Sequence, residues 1–254
     1  MDERRKGYKC APVGVNFHGY EMFQKPASLR SRIEQLLLRK PVIFSIANAD
    51  YVFSYGGGIT DIILKLNISK NKIIESPAGI EKDWIVPDIH SSEGIRRFIF
   101  VGRYERRKGV EELTNVLSEL AVNNNFEFTF VGEMPEKKKI SLPGIKYSGR
   151  ITDSEAMKSV LRNSDVLVCP SYSEGMPNVI LEAMASGLVV IASDVGAVNM
   201  LVSKNNGWLV KAGSKKELKT ALFEALQTSA TKLYGMGGTR IFCDRFLWKN
   251  ILSI

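Results

Sequence analysis

Between residues 95 and 228, short apolar runs alternate with amphipathic segments, and this alternation most restricts the fold. The apolar runs are RRFIFVG (96–102), FEFTFVG (126–132), DVLVC (165–169), LVVIAS (188–193) and GWLV (207–210). Residues 108–122 instead place Val110, Leu113, Leu117 and Leu120 at helical spacing. Runs that are apolar on both faces are typical of parallel strands covered by helices on both sides. The sequence therefore predicts one doubly wound α/β domain over residues 95–228.

Two of the intervening segments carry a pattern that marks helix starts. Thr152 is followed three residues later by Glu155, and Ser214 by Glu217. In such a capping box, each side chain hydrogen-bonds a backbone N–H of the other residue. The pattern predicts that helices begin at these positions.

Composition and charge restrict the protein class further. The chain has 254 residues and three cysteines, Cys10, Cys169 and Cys243, without metal-type spacing. An odd number of cysteines leaves one unpaired, which favours free thiols in a reducing compartment. No apolar run reaches the roughly 18 to 20 residues of a membrane span, so we expect a cytoplasmic protein. The net charge of +8 attracts anions such as nucleic acid, phosphorylated ligands or acidic lipids. The net charge does not distinguish among these three ligand classes, and it is equally compatible with a basic surface that contacts only solvent.

Three loops follow the predicted strands at the edge where parallel sheets bind ligands. They are GRYERRKG (102–109), GEMPEKKK (132–139) and PSYSEGMP (170–177). In the third loop, Pro177 suits the first turn of a helix because its missing N–H has no helical partner there. We expect this helix to end near Ser186, before Gly187.

Two carboxylates flank the start of that helix. Glu174 precedes it and Glu182 lies on its second turn, beside a natural anion site at the N–H groups of Gly175 and Met176. Carboxylates beside an anion site fit a nucleotide sugar, whose phosphates are flanked by hydroxyl groups. From these residues alone, a solvated Glu182 and a turn-capping Glu174 are the simpler interpretation.

A family resemblance changes that balance. PSYSEGMPNVILEAMASGLVVIASDVG (170–196) resembles the signature of the retaining GT-B glycosyltransferases of family 4, the glycosyl transferases group 1. VGRYERRKG (101–109) resembles their Gly-Arg…Lys-Gly segment, and NNGWLVKAGSKKEL (205–218) resembles their later strand and helix. The resemblance covers nearly all of 95–228 and implies a GT-B architecture.

The resemblance also implies roles for individual residues. Arg103 and Lys108 would contact the donor pyrophosphate, and Glu182 would accept hydrogen bonds from the ribose. Glu174 would lie near the transferred sugar, and the backbone at Gly175, Met176 and Pro177 would contact sugar or phosphate. For Arg106 and Arg107, a solvated helix start is an equally good interpretation. The sequence departs from the family at Ala197 and Met200, where a glycine and an acid are common, which puts donor recognition by that loop in doubt.

The first 90 residues resemble part of the family's other domain. PVGVNFHGYE (12–21) looks like a strand with a His-Gly-x-Glu turn, which would place His18 in the cleft as a second catalytic candidate beside Glu174. A long helix, the strand YVFSY, a helix after the Gly56–Gly58 turn and the strand KIIESP follow. DRFLWKNIL (244–252) looks like the final helix that crosses back to the first domain.

These features predict a partial N-terminal Rossmann-like domain on the acceptor side. We expect this domain at 1–90, the nucleotide-sugar-binding domain at 91–230 and the crossing helix within 231–254, with a linker near Pro87–Gly94. The opening strands and helices of the first domain would be missing, so we expect a short or truncated form that binds a nucleotide but transfers sugar poorly.

The resemblance implies transfer of a sugar from a UDP-sugar or GDP-sugar to an acceptor hydroxyl, with retention and without a metal or cofactor. The acceptor would be a polysaccharide, a lipid carrier or a small glycan. We expect no nucleic-acid partner, peripheral association with the inner face of the membrane, and self-association through the incomplete first domain. Two alternatives stay open: a GT-B nucleotide-sugar epimerase and a degenerate fragment that binds nucleotide without turnover.

Overall fold

The computed structural model describes residues 10–85, 94–237 and 245–252. It is an α/β structure in which every described strand pairing is parallel. The strands are β1 (Gly14–Asn16), β2 (Tyr51–Ser54), β3 (Ile73–Glu75), β4 (Arg96–Val101), β5 (Phe126–Val131), β6 (Ile145–Gly149), β7 (Val166–Cys169), β8 (Val189–Ser193) and β9 (Gly207–Val210). The helices are α1 (Leu29–Asn48), α2 (Gly58–Lys65), α3 (Val110–Leu120), α4 (Ser154–Arg162), α5 (Asn178–Ala185), α6 (Lys215–Gln227), α7 (Ala230–Gly237) and α8 (Trp248–Ile251).

The strands form two sheets. A six-stranded sheet in residues 94–237, here called the large lobe, has the order β6-β5-β4-β7-β8-β9. A three-stranded sheet in residues 10–85, the small lobe, has the order β1-β2-β3. Crossover connections between parallel strands produce this doubly wound arrangement, and the fold class expected from the sequence is confirmed.

Both faces of the large sheet are buried. Successive residues of its strands point to opposite faces and therefore join different hydrophobic clusters. In β4, Ile99 belongs to the hydrophobic cluster that also contains Leu167 and extends into the small lobe. Its neighbour Phe98 belongs to the cluster on the opposite face. This double burial explains why these strands are continuously apolar.

The helix starts differ from the sequence prediction in one case. Ser214 caps α6 by accepting a hydrogen bond from Glu217 N. The predicted cap Thr152 is wrong, because Asp153 is the N-cap of α4 and accepts from Ala156 N at 2.7 Å. The carboxylate one residue later reaches the free N–H groups in place of the threonine hydroxyl.

The small lobe contains one long helix with two apolar faces. Val42 and Ile46 of α1 are buried. Another face carries exposed apolar side chains at helical spacing: Leu29, Ile33, Leu36, Leu37 and Phe44 are between 53% and 75% exposed. We call these five residues the α1 stripe. An exposed row of large apolar side chains indicates an interaction surface.

The end of the chain packs against the segment that follows β3. Ile80 N donates to Phe246 O at 2.8 Å, and Trp248 N donates to Ile80 O at 3.2 Å. Phe246 is fully buried. Of the predicted crossing helix, Asp244 lies outside the described residues, as do Pro87–Glu93 of the predicted linker.

None of the helices within residues 10–85, 94–237 and 245–252 combines the length and the apolar composition that crossing a bilayer requires. In those same ranges, no group of three or more His, Cys, Asp or Glu side chains is arranged to hold a metal ion.

Candidate functional site

Two loops meet at the carboxyl ends of β4 and β7, which are neighbours in the large sheet. Tyr172 N donates to Arg107 O at 2.8 Å. Gly109 has a φ of +69°, and a Cβ added there would lie 2.1 Å from Pro170 O. The loops 102–109 and 170–177 therefore pack backbone against backbone, at a distance that only glycine permits.

This packing pairs two of the predicted site residues. Lys108 Nζ donates to Glu174 Oε1 at 2.6 Å. Arg107 Nη1 lies 3.6 Å from Glu174 Oε2 and donates to Ser173 O at 3.0 Å. The Glu174 side chain is only 8% exposed and that of Lys108 only 19%, so water screens their attraction weakly. The two loops thus hold the Glu174 carboxylate between the cations of Arg107 and Lys108 at the carboxyl ends of the strands.

Arg106 has a different role from its neighbours. It donates to both carboxylate oxygens of Glu112, at 2.8 and 2.6 Å, and also contacts Tyr172 Oη. Burial disfavours the charge of Glu112, but hydrogen bonds from Arg106 and Tyr172 outweigh it and lower its pKa. Because Arg106 and Arg107 both form ion pairs, neither is the merely solvated residue that the sequence left open.

The small lobe closes over Glu174 and Gly175. A Cβ on Gly175 would lie 1.9 Å from His18 O, so the turn after β1 rests directly on the Gly175 backbone. On the other side, Ala197 N donates to Gly175 O at 2.8 Å. The His18 ring faces Tyr55, with Nδ1 2.7 Å from the Tyr55 hydroxyl. The backbone of His18 thus packs against the residue that follows Glu174, while its ring contacts Tyr55.

Met176 and Pro177 contribute to packing. Met176 is buried, and its Sδ accepts a hydrogen bond from Ala78 N at 3.2 Å. Pro177 precedes the first helical residue, Asn178, as the N-cap of α5. The Met176 side chain therefore anchors the loop to the small lobe.

Arg103 lines an open cleft beyond the ends of β4, β5 and β6. The cleft has a volume of about 440 Å³, and its walls include Gly102, Gly132, Arg150 and Ile151. The Arg103 side chain is 80% exposed and pairs with Glu105 at 3.0 Å. It lies where ligands bind in parallel sheets, and its exposed guanidinium is accessible to an anion.

Glu182 lies in a different, smaller cleft. This cleft of about 120 Å³ is bounded by α5 and by Gly79, Trp84 and Trp248. Burial raises the pKa of the Glu182 carboxyl. Arg103 and Glu182 therefore line separate clefts, whereas Lys108 and Glu174 pair at the contact between the lobes, where the backbone of His18 packs against Gly175.

The sequence did not single out two residues that shape this contact. Gly196 has a φ of +56°, and a Cβ there would lie 2.1 Å from Glu174 O. The sequence could have indicated Gly196, because this residue lies in the loop that departs from the family pattern at Ala197 and Met200. Gln24 hydrogen-bonds the Glu174 backbone from 150 positions away, and nothing in the local sequence marks it.

Comparison with known proteins decides the family. The profile of the glycosyl transferases group 1 family matches residues 95–228, which is over half of the chain. The chain belongs to this family. The group 1 match covers the whole of β4 through α6 and therefore both loops of the site.

Individual relatives agree with this assignment. TuaC of Bacillus subtilis, named as a glycosyltransferase of teichuronic acid biosynthesis, is 35% identical over an alignment of 188 positions that covers 70% of this group 1 chain and 47% of TuaC. Sucrose-phosphate synthase from Thermosynechococcus elongatus superposes with a TM-score of 0.77 at 21% identity, covering 99% of this chain and 68% of that one. HepE of Anabaena, solved with UDP, gives a TM-score of 0.72 at 16% identity, covering 95% and 70%.

The structural similarity shows that the group 1 chain has the GT-B architecture. The chain spans about half the length of the curated relatives it matches.

Proposed function

We propose that this chain provides the donor side of a retaining, metal-independent glycosyltransferase that uses a UDP-sugar or a GDP-sugar. The observation that carries the proposal is the Lys108–Glu174 pair at the carboxyl ends of β4 and β7, with the backbone of His18 from the small lobe packed against the next residue, Gly175. A partly buried cation and a buried carboxylate in one place can bind the two chemically different parts of a nucleotide sugar, its phosphates and its hydroxyl groups.

Each residue then has a role that follows from its chemistry. Lys108 and Arg103 bind the diphosphate and stabilise the negative charge that develops as it leaves. Glu174 accepts hydrogen bonds from the transferred sugar, and Glu182 accepts them from the ribose. His18 lies on the other side of the sugar and presents its ring to the donor and the acceptor hydroxyl.

The relatives support this choice of substrate. HepE was solved with UDP and also with UDP and glucose. TuaC is named for the synthesis of a polysaccharide. For this chain we accordingly propose a nucleotide-sugar donor and, as acceptor, a polysaccharide, a lipid carrier or a small glycan, with the reaction at the cytoplasmic face of the membrane.

A donor panel tests the proposal. UDP-glucose, UDP-galactose, UDP-N-acetylglucosamine and GDP-mannose are titrated by calorimetry, and products formed with candidate acceptors are analysed by mass spectrometry and NMR. We expect binding of one donor and an axial linkage retained in the product. Isomerised donor would indicate an epimerase, binding without product would indicate a non-catalytic module, and no binding at all would contradict the proposal.

We predict that Lys108→Ala and Arg103→Ala weaken binding of UDP or GDP more than binding of uridine or guanosine. Loss of a charge-assisted hydrogen bond costs about 1.5–3 kcal/mol, or roughly tenfold or more in affinity. The Lys108 variant should be the weaker binder, because it also leaves the Glu174 carboxylate without its 2.6 Å partner beside the phosphates.

Lys146→Ala is the matched control, since Lys146 is 58% exposed and pairs with Glu127 at 3.0 Å away from these loops. Equal losses for nucleoside and nucleoside diphosphate would show that the loop does not bind phosphate.

We further predict that this chain self-associates through the α1 stripe. Leu36→Glu combined with Leu37→Glu should shift the chain toward the monomer in sedimentation velocity, because both side chains are more than half exposed and a charge there opposes an apolar contact. Val122→Glu is the control, since Val122 is 76% exposed on the large lobe.

A mass distribution that the double substitution leaves unchanged would contradict self-association through this stripe. Binding of the parent, but not of the variant, to anionic vesicles would instead assign the stripe to a membrane surface, consistent with Arg32 and Lys40 on the same helix.

A further inference from the structure

The side chain of Gln24 crosses between the lobes and is hydrogen-bonded at both ends. Its Nε2 donates to Gly19 O, next to His18, and to Glu174 O at 2.6 Å. Its Oε1 accepts from Glu174 N at 3.3 Å. One amide therefore contacts both the carbonyl and the N–H of Glu174 and joins that residue to the turn that carries His18.

Only an amide satisfies this arrangement. The Gln24 side chain supplies two N–H donors for two carbonyl oxygens and an acceptor for one N–H. A glutamate of the same shape has no N–H when ionised, so it would face Gly19 O and Glu174 O with acceptors only. The contact is chemically specific, in contrast to apolar packing between lobes.

Gln24 itself is held by the small lobe. It directly follows the short 3-10 turn Glu21–Phe23. Gln35 Nε2 donates to Glu21 O at 2.8 Å, and Arg39 Nε donates to Met22 O at 2.9 Å, so α1 fixes this turn from behind. The contacts from α1 thereby fix the position of the Gln24 amide. The amide in turn restrains the Glu174 backbone through its two hydrogen bonds.

We propose that Gln24 is a positioning residue that orients Glu174 relative to His18 for binding the sugar part of the donor. The inference rests on the proposed function and deepens it. The Glu174 carboxylate is held by Lys108 and Arg107 from the large lobe, while its backbone is held by Gln24 from the small lobe. Loss of the amide removes this restraint on the backbone and leaves Glu174 held through its carboxylate by Lys108 and Arg107.

The first test needs no ligand. Backbone amide exchange of Glu174 is measured by NMR in the parent, in Gln24→Ala and in Gln24→Glu, with Gln227→Glu as the same substitution at an exposed position of α6. We expect exchange at Glu174 to accelerate about tenfold or more in both Gln24 variants, because its N–H loses its acceptor or that acceptor's fixed geometry, and to be unchanged in the control. Unchanged exchange in Gln24→Ala would overturn the proposal.

The second test measures function. UDP and UDP-glucose, or GDP and GDP-mannose if the donor panel selects guanosine, are titrated into the same variants, into Glu174→Ala and into the double variant with Gln24→Ala. We expect affinity for the nucleotide sugar to fall about fivefold to tenfold in Gln24→Ala, with affinity for UDP or GDP retained within about twofold. Since Gln24 acts through Glu174, the double variant should lose no more than Glu174→Ala alone.

The outcomes separate the two hypotheses. A parent chain that binds none of these nucleotides would overturn the proposed function and the role of Gln24 with it. A parent that binds, with Gln24→Ala reducing UDP and UDP-glucose affinity equally or adding fully to Glu174→Ala, would overturn only the positioning role.

Discussion

Gly109→Ala is expected to destabilise the protein by about 2 kcal/mol or more. The residue has a φ of +69°, which an alanine adopts only with strain, and the added Cβ would lie 2.1 Å from Pro170 O. The clash cannot be relieved by movement of a flexible side chain, because the obstructing atom belongs to the Pro170 backbone. For a chain of this size, we expect the melting temperature to fall by about 4–8 °C in thermal unfolding followed by circular dichroism.

Two glycine controls separate the causes. Gly149 also has a positive φ of +65° but no heavy atom within 4 Å of an added Cβ, so Gly149→Ala reports backbone strain alone. Gly235 in α7 has open space, and Gly235→Ala should be neutral or slightly stabilising. A melting temperature for Gly109→Ala no lower than that of Gly149→Ala would show that the two loops do not pack as closely as described.

The two glutamates should separate in their effects on nucleotide binding. Glu182→Ala is expected to lower UDP or GDP affinity about tenfold or more, because the ribose hydroxyls lose a charged acceptor. Glu174→Ala should retain nucleoside diphosphate affinity and reduce only the additional affinity for the nucleotide sugar. Calorimetric titration of both ligands into both variants measures this. A Glu182→Ala variant that binds UDP and GDP as tightly as the parent would refute the role of Glu182.

The pH dependence of binding gives an independent test of Glu182. Burial raises its pKa, so the carboxyl is protonated at a higher pH than an exposed glutamate. The ionised form is the better acceptor for two hydroxyls, so nucleotide affinity should fall as the pH is lowered through the raised pKa. Glu182→Gln should bind more weakly at neutral pH and should not show this decline. A decline at the same pH in Glu182→Gln would assign it to another group.

The sequence predicted the interior strands of the large sheet and its edge strand β9 well, and it missed the other edge strand, β6. The interior strands are apolar on both faces, and their runs agree with β4, β5, β7 and β8 within one residue at each end. β6 was not predicted. This edge strand alternates half-buried side chains, Ile145 and Tyr147, with the exposed Lys146 and Ser148. A half-exposed strand of five residues beside a Pro-Gly turn gives little periodic signal.

The site was predicted in its residue types and less so in its arrangement. Motif resemblance selected Lys108, Glu174 and His18; the structure pairs Lys108 with Glu174 and packs the His18 backbone against Gly175. It did not predict that Arg103 and Glu182 line separate clefts, because their relative placement depends on how Trp84 and Trp248 pack against α5. Gln24 escaped notice for a similar reason: its partners are fixed by the packing of two lobes and not by sequence spacing.

The backbone pairing of Ile80 with Phe246 and Trp248 has a mechanical consequence. Two segments far apart in the sequence are tied together at this point by hydrogen bonds of 2.8 and 3.2 Å. Because Ile80 belongs to the small lobe, this pairing makes residues 245–252 move with that lobe when the two lobes shift against each other. A shift of the lobes would exchange side-chain contacts such as Gln24 with Glu174 and Lys25 with Ala212 for contacts with water, at about 0.5–1.5 kcal/mol each, and would also separate the apolar cluster that both lobes share.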